Sequence, residues 1–117
     1  MEKQIIHGQP PSKSNTNKII CINGHYTIGK GTEAKKYEEQ FFMQCGLRNK
    51  KIESRFKLHV DVYFRSDRSD LDNALKVILD CLQSCKAIVN DRQCTEINAR
   101  KLIDKFDPRI EFTIEVE

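Results

Sequence analysis

The run Arg55 to Phe64 limits the possible folds more than any other part of the chain. Phe56, Leu58, Val60, Val62 and Phe64 alternate without a break with Arg55, Lys57, His59, Asp61 and Tyr63. Successive side chains of a strand point to opposite faces, so the pattern predicts a β-strand with one apolar and one polar face. A sheet of such strands needs cover on one side only. Arg109 to Val116 repeats the pattern through Ile110, Phe112, Ile114 and Val116, and Gln4 to Ile6 and Gln93 to Lys101 are predicted as two further strands. Ile19 to Ile22 and His25 to Ile28 flank Asn23-Gly24, which suits a tight type I′ turn, so they predict a hairpin.

Two helices supply the cover. Thr32 is expected to cap the first, with Glu33 in its opening turn, Ala34, Tyr37, Phe41 and Cys45 at helical spacing, and Gly46 as its stop. Ser69 is expected to cap the second, with Asp72 three residues later. Leu71, Leu75, Ile78, Leu79 and Leu82 form its predicted core stripe, and Asp72, Asn73, Lys76 and Asp80 its outer face. Tyr37, Phe41, Phe42 and Tyr63 are assigned to the core because they fall on predicted elements. A chain of 117 residues has room for one modest core. The expectation is therefore an α+β fold: a single two-layer domain over residues 1–117, with a mixed β-sheet and two helices packed on one face.

No apolar run approaches the ~20 residues of a membrane span, and the N-terminal segment does not resemble a signal peptide, so a membrane or secreted protein is not expected. The cysteines, Cys21, Cys45, Cys81, Cys85 and Cys94, form no CxxC pair and are odd in number, which predicts free thiols in a reducing compartment. Cys81 and Cys85 share a helix face, but no nearby His or third thiol completes a zinc set, so buried packing is expected.

The net charge of +3 says little, but its distribution says more. Residues 48–68 hold seven basic and three acidic side chains, and residues 69–91, which follow directly, hold four acidic and two basic ones. Basic charge beside an acidic cluster suits a metal-dependent enzyme that acts on a polyanion. Asp70 and Asp72 open the second predicted helix and Asp91 follows the turn after it. A helix from Asp70 to Ser84 is about 21 Å long, so Asp91 reaches the first pair only if the chain after it runs back antiparallel, or the helix is shortened. Converging carboxylates repel unless a cation joins them, and oxygen ligands without His or thiolate select Mg²⁺ or Mn²⁺. Lys76, one turn from Asp72, is placed to steady charge on a reacting phosphate. The plainer reading is that both acids complement the helix start and pair with Lys76.

Asp70-Leu71-Asp72-Asn73, Lys76, Asp80, Leu82 and Asp91-x-Gln93 together resemble the signature of the RusA family of Holliday junction resolvases, DxDNxxKxxxDxL followed by an acidic pair and Gln. Pro10-Pro11-Ser12-Lys13 is similar to that family's N-terminal loop. The resemblance implies a cytoplasmic, homodimeric, Mg²⁺-dependent endonuclease of bacteria or phage, with Mn²⁺ as a substitute ion, that resolves four-way DNA junctions by paired symmetric nicks. It carries over Asp70, Asp72 and Asp91 as metal-binding catalytic carboxylates and Lys76 as the catalytic lysine. Asn73, Asp80 and Asn90 are supporting candidates. Asn90 stands where the family has an acid, so the same resemblance leaves open a catalytically inactive junction-binding protein. Ser14 stands where Asn is common. Lys13, Arg48, Lys50, Lys51, Arg65 and Arg68 are the expected DNA contacts, basic residues mostly in predicted loops.

Overall fold

The computed structural model describes residues 1–11, 17–22, 25–30 and 32–117. β1 (Gln4–His7), β4 (Phe56–Phe64), β5 (Cys94–Ile103) and β6 (Arg109–Val116) form one mixed sheet in the order β1-β6-β4-β5. β6 pairs antiparallel with both β1 and β4, whereas β5 runs parallel to β4. β2 (Asn17–Ile22) and β3 (His25–Lys30) pair antiparallel as the predicted hairpin, with Ile22 opposite His25; its Asn23-Gly24 turn lies outside the described residues.

The alternation in β4 is realised residue for residue. Phe56, Leu58, Val60, Val62 and Phe64 are buried, while Lys57, His59, Asp61 and Tyr63 are half-exposed. The buried row joins Ile6, Ile110, Phe112 and Ile114 from the other strands and meets α1 (Thr32–Gln44) and α2 (Leu71–Ser84) in one core. Phe41 of α1 stacks on Phe112 of β6 with ring centroids 5.9 Å apart, which fixes the first helix on the sheet. The opposite sheet face carries ion pairs, Arg100 with Asp61 and Lys3 with Glu111. Cys45, Cys81 and Cys85 are buried thiols outside any disulfide, as expected, and Cys94 is half-buried. No helix is long and apolar enough to cross a membrane among the described residues.

Several local expectations are corrected. Thr32 is the first residue of α1 rather than the residue before it. Asp70, not Ser69, caps α2: its backbone is extended and its side chain accepts a hydrogen bond from the Asp72 amide at 3.1 Å. The buried stripe of α2 is Ala74, Val77, Ile78, Cys81 and Leu82, so Leu71, Leu75 and Leu79 lie at its half-buried margin. Small Ala74 and Cys81 thus share the buried face with Val77, Ile78 and Leu82, and the bulkier leucines close the flank. Phe42 is 43% exposed, with the Arg48 guanidinium 5.7 Å from its ring centre, and Tyr63 is half-exposed beneath Arg109. Gln93 ends a short 3₁₀ turn, Asp91–Gln93, and β5 begins one residue later.

Candidate functional site

β4, α2 and β5 form a βαβ unit, with α2 as the crossover between parallel strands. This topology separates the two parts of the acidic motif. Asp70 follows the end of β4, at the start of α2. Asp91 precedes β5, whose first residue Cys94 pairs with Phe56 at the other end of β4. Eight strand steps of about 3.3 Å put the two ends roughly 26 Å apart. Asp91 is held at its own end by its amide, which donates to Gln83 Oε1 at 3.0 Å near the C-terminus of α2.

At the first end, Asp70 and Asp72 are both exposed. The cap bond holds Asp70 Oδ1 against the amide of Asp72, so both acids belong to the opening turn of α2. Lys76 and Asp80 are exposed one and two turns further along α2. Asn73 has a structural role: its Nδ2 donates to the Pro11 carbonyl at 3.0 Å, pinning buried Pro10-Pro11 against the helix start. A cleft of about 210 Å³ results, lined by Pro10, Pro11, Phe64, Arg68, Asp70 and Asn73 among others. Arg65 and Arg68 are exposed in the turn between β4 and α2, and Gln9 Oε1 accepts from the Arg65 amide at 2.7 Å. Ser12, Lys13 and Ser14 lie outside the described residues.

The second end is built on Gln93. Its Oε1 accepts from the amides of Val89 and Asn90 at 3.1 and 2.6 Å, and its Nε2 donates to the carbonyls of Ile52 and Ser54 at 2.8 and 2.9 Å. This glutamine therefore fixes the turn that presents Asp91. Asn90 Oδ1 accepts from the amide and Nε of Arg92, at 2.9 and 3.3 Å. Its oxygen is thus engaged as the cap of the 3₁₀ turn, a task that Asn and Asp perform equally well. Arg48, Lys50 and Lys51 are exposed on the segment running alongside this end, where the amides of Asn49 and Lys51 donate to the carbonyls of Cys85 and Lys86. Arg48 is partly committed to its own helix end, donating to the Cys45 carbonyl at 3.0 Å.

Each end of α2 therefore offers exposed carboxylate oxygen beside basic side chains. Asp70 and Asp72 share the first end, and Asp91 stands at the other. Among the described residues no three His, Cys, Asp or Glu side chains are grouped closely enough to hold a metal ion. Hard oxygen donors without imidazole or thiolate suit Mg²⁺, which is commonly held by one or two carboxylates with waters and substrate phosphate completing its shell. Asp70 and Asp72 are exposed carboxylates of that kind at the first end.

Sequence reasoning missed Phe106. It interrupts no periodic pattern and sits in the turn between β5 and β6, yet it is 93% exposed. A fully exposed aromatic between two strands is visible only once the turn is built.

No curated protein matches the chain. The family model described as endodeoxyribonuclease RusA matches residues 8–115, a span that includes Pro10-Pro11, both ends of α2 and all of the four-stranded sheet except β1 and the last residue of β6. The chain belongs to the RusA endodeoxyribonuclease family.

Proposed function

We propose that this protein is a Mg²⁺-dependent, structure-selective endonuclease that nicks four-way DNA junctions and works as a homodimer. The observation that carries the reading is that Asp70 and Asp72 are exposed at the same helix start, with Lys76 one turn on and Arg65 and Arg68 in the turn before it. When bound, Mg²⁺ supplies an activated water and offsets the charge of the scissile phosphate; Mn²⁺ suits the same oxygen donors. Asp70 and Asp72 hold the ion, Lys76 faces the charge that develops on the reacting oxygens, and Arg65 and Arg68 engage neighbouring backbone phosphates. Lys13 belongs to the same set of DNA contacts by its place in the sequence Pro10-Pro11-Ser12-Lys13.

The wide separation of Asp91 gives the dimer a chemical purpose. A two-fold axis across α2 reverses the helix in the second copy, so the Asp91 end of one protomer can lie beside the Asp70 end of the other. Two identical sites follow, each with Asp70 and Asp72 from one copy and Asp91 from its partner. Arg48, Lys50 and Lys51 travel with Asp91 and complete a basic rim around each site. Paired nicks in a substrate with its own approximate two-fold symmetry then follow from geometry.

Incubation of a synthetic four-way junction with Mg²⁺, and in parallel with EDTA, tests the reading. Symmetric nicks with Mg²⁺, none with EDTA and none from Asp72→Asn are expected. Junction binding without Mg²⁺-dependent nicking favours the inactive binder. Equal affinity for junction and linear duplex contradicts both.

A further inference from the structure

The β5–β6 turn holds its aromatic side chain out of the fold on a heavily braced frame. Phe106 is 93% exposed, more than any other large apolar side chain described. Asp104 Oδ1 accepts from the amides of Phe106 and Asp107, each at 3.2 Å, which fixes the backbone at the tip. Arg109 Nη1 donates to Asp104 Oδ2 at 2.8 Å and to the Asp107 carbonyl at 2.9 Å, while its guanidinium lies 3.8 Å over the Tyr63 ring. His7 meets Asp107 at 3.0 Å, and the Gly8 amide donates to the Pro108 carbonyl at 2.9 Å. A turn held at so many points does not fold its phenylalanine back into the core.

The position of this tip suggests its use. The Asp104 amide donates to the Phe64 carbonyl at 2.8 Å, so the turn rises from the end of β4 where the segment carrying Arg65, Arg68 and Asp70 begins. Lys101 joins the two segments, contacting the Asp67 carbonyl at 2.8 Å and its carboxylate at 3.2 Å. The flanking acids do not present bare negative charge to a polyanion: Asp104 is paired with Arg109, and Asp107 lies between Arg109 and His7.

We propose that Phe106 is a stacking wedge that recognises the branch point of the DNA. Inserting a ring into linear duplex requires unstacking a base step, whereas at a branch the stack is already interrupted and one base-pair face is uncovered. The ring gains a stacking partner there without that cost, and the gain is sequence-tolerant because every base has a π-face. Phe106 thereby separates branched from linear substrates while the basic residues hold the backbone. The inference rests on the reading that the protein binds branched DNA.

The test uses the full-length protein in EDTA, with a four-way junction carrying 2-aminopurine at the branch point and a linear duplex of the same sequence. Wild type is expected to change the fluorescence of the junction, as the ring covers the exposed 2-aminopurine face, and to prefer the junction to duplex. Phe106→Ala should lose the fluorescence change and weaken junction affinity on the order of 10-fold with duplex affinity unchanged, and Phe106→Trp should keep both properties. Wild-type fluorescence and affinity in Phe106→Ala overturn the wedge while leaving junction binding intact. Failure of the wild type to prefer the junction overturns the functional reading and the wedge together. A lower sedimenting mass for Phe106→Ala assigns the ring to the dimer contact and overturns the wedge as well.

Discussion

Gln93 is the residue on which the placement of Asp91 depends, and its replacement has a calculable effect. Gln93→Ala removes four hydrogen bonds, two accepted from the amides of Val89 and Asn90 and two donated to the carbonyls of Ile52 and Ser54. The bonds to Asn90 and Ile52 are partly buried and the other two are exposed. At a net 0.5–1.5 kcal/mol per bond, with water replacing the exposed ones, the loss of the two partly buried bonds amounts to about 1–3 kcal/mol. Gln93→Glu keeps the acceptor but loses both donors and turns a carboxylate oxygen toward two carbonyls. At pH 7 it should destabilise at least as much as Gln93→Ala, and it should recover partly below pH ~4, where a protonated carboxyl can donate once. Urea unfolding gives the stability change, and amide exchange at Val89 and Asn90 reports the local loosening. Nicking should fall in both variants because the turn that presents Asp91 is loosened. A stability change below about 0.5 kcal/mol with unaltered protection at both amides would refute the assignment of Gln93 as the anchor of this turn.

Two further outcomes follow from the same geometry. Asp70→Asn retains a side-chain oxygen for the Asp72 amide but not the charge, so urea melts should match wild type while nicking is abolished; Asp70→Ala should in addition cost about 1 kcal/mol of stability through the lost cap. Asp61, Asp104 and Glu111 have pKa values lowered by hydrogen bonds, from Arg100 for the first and from Arg109 for the other two. Their folded values lie below their unfolded ones, so their contribution is present above the ordinary carboxylate range near pH ~4 and is lost as the pH falls through the folded values. Melting temperature followed from pH 7 to pH 2 should drop less steeply in Arg109→Gln than in wild type, and parallel curves would disprove the linkage.

The parts of this fold that could be read from the chain are those where one physical pattern decides the outcome. β4 and β6 alternate because one face meets the helices and the other meets water. Strand direction has no such trace: the periodicity of β5 is the same whether it runs parallel or antiparallel, and only the helical crossover before it hints at a parallel pair. The face of α2 was harder to read because large leucines mark hydrophobicity, whereas its buried face also takes the small residues Ala74 and Cys81. Ser69 and Asp70 are both good caps, and side-chain geometry decides between them. For the site, residue identity showed the oxygen chemistry of Asp70, Asp72 and Asp91 but not their distribution. The βαβ topology sends Asp91 to the opposite end of the sheet, a consequence of the parallel pairing that the sequence leaves open.

Subunit mixing tests the central claim, that each metal site draws on both copies, most directly. Asp70→Asn and Asp91→Asn proteins, each inactive alone, are unfolded together, refolded and assayed on a four-way junction with Mg²⁺. If Asp91 acts across the dimer, the mixed dimer contains one site with both substitutions and one wild-type site, so single-strand nicking returns. If all three carboxylates of a site belong to one chain, every site in the mixed dimer carries a substitution, and a mixture as inactive as its components contradicts the account.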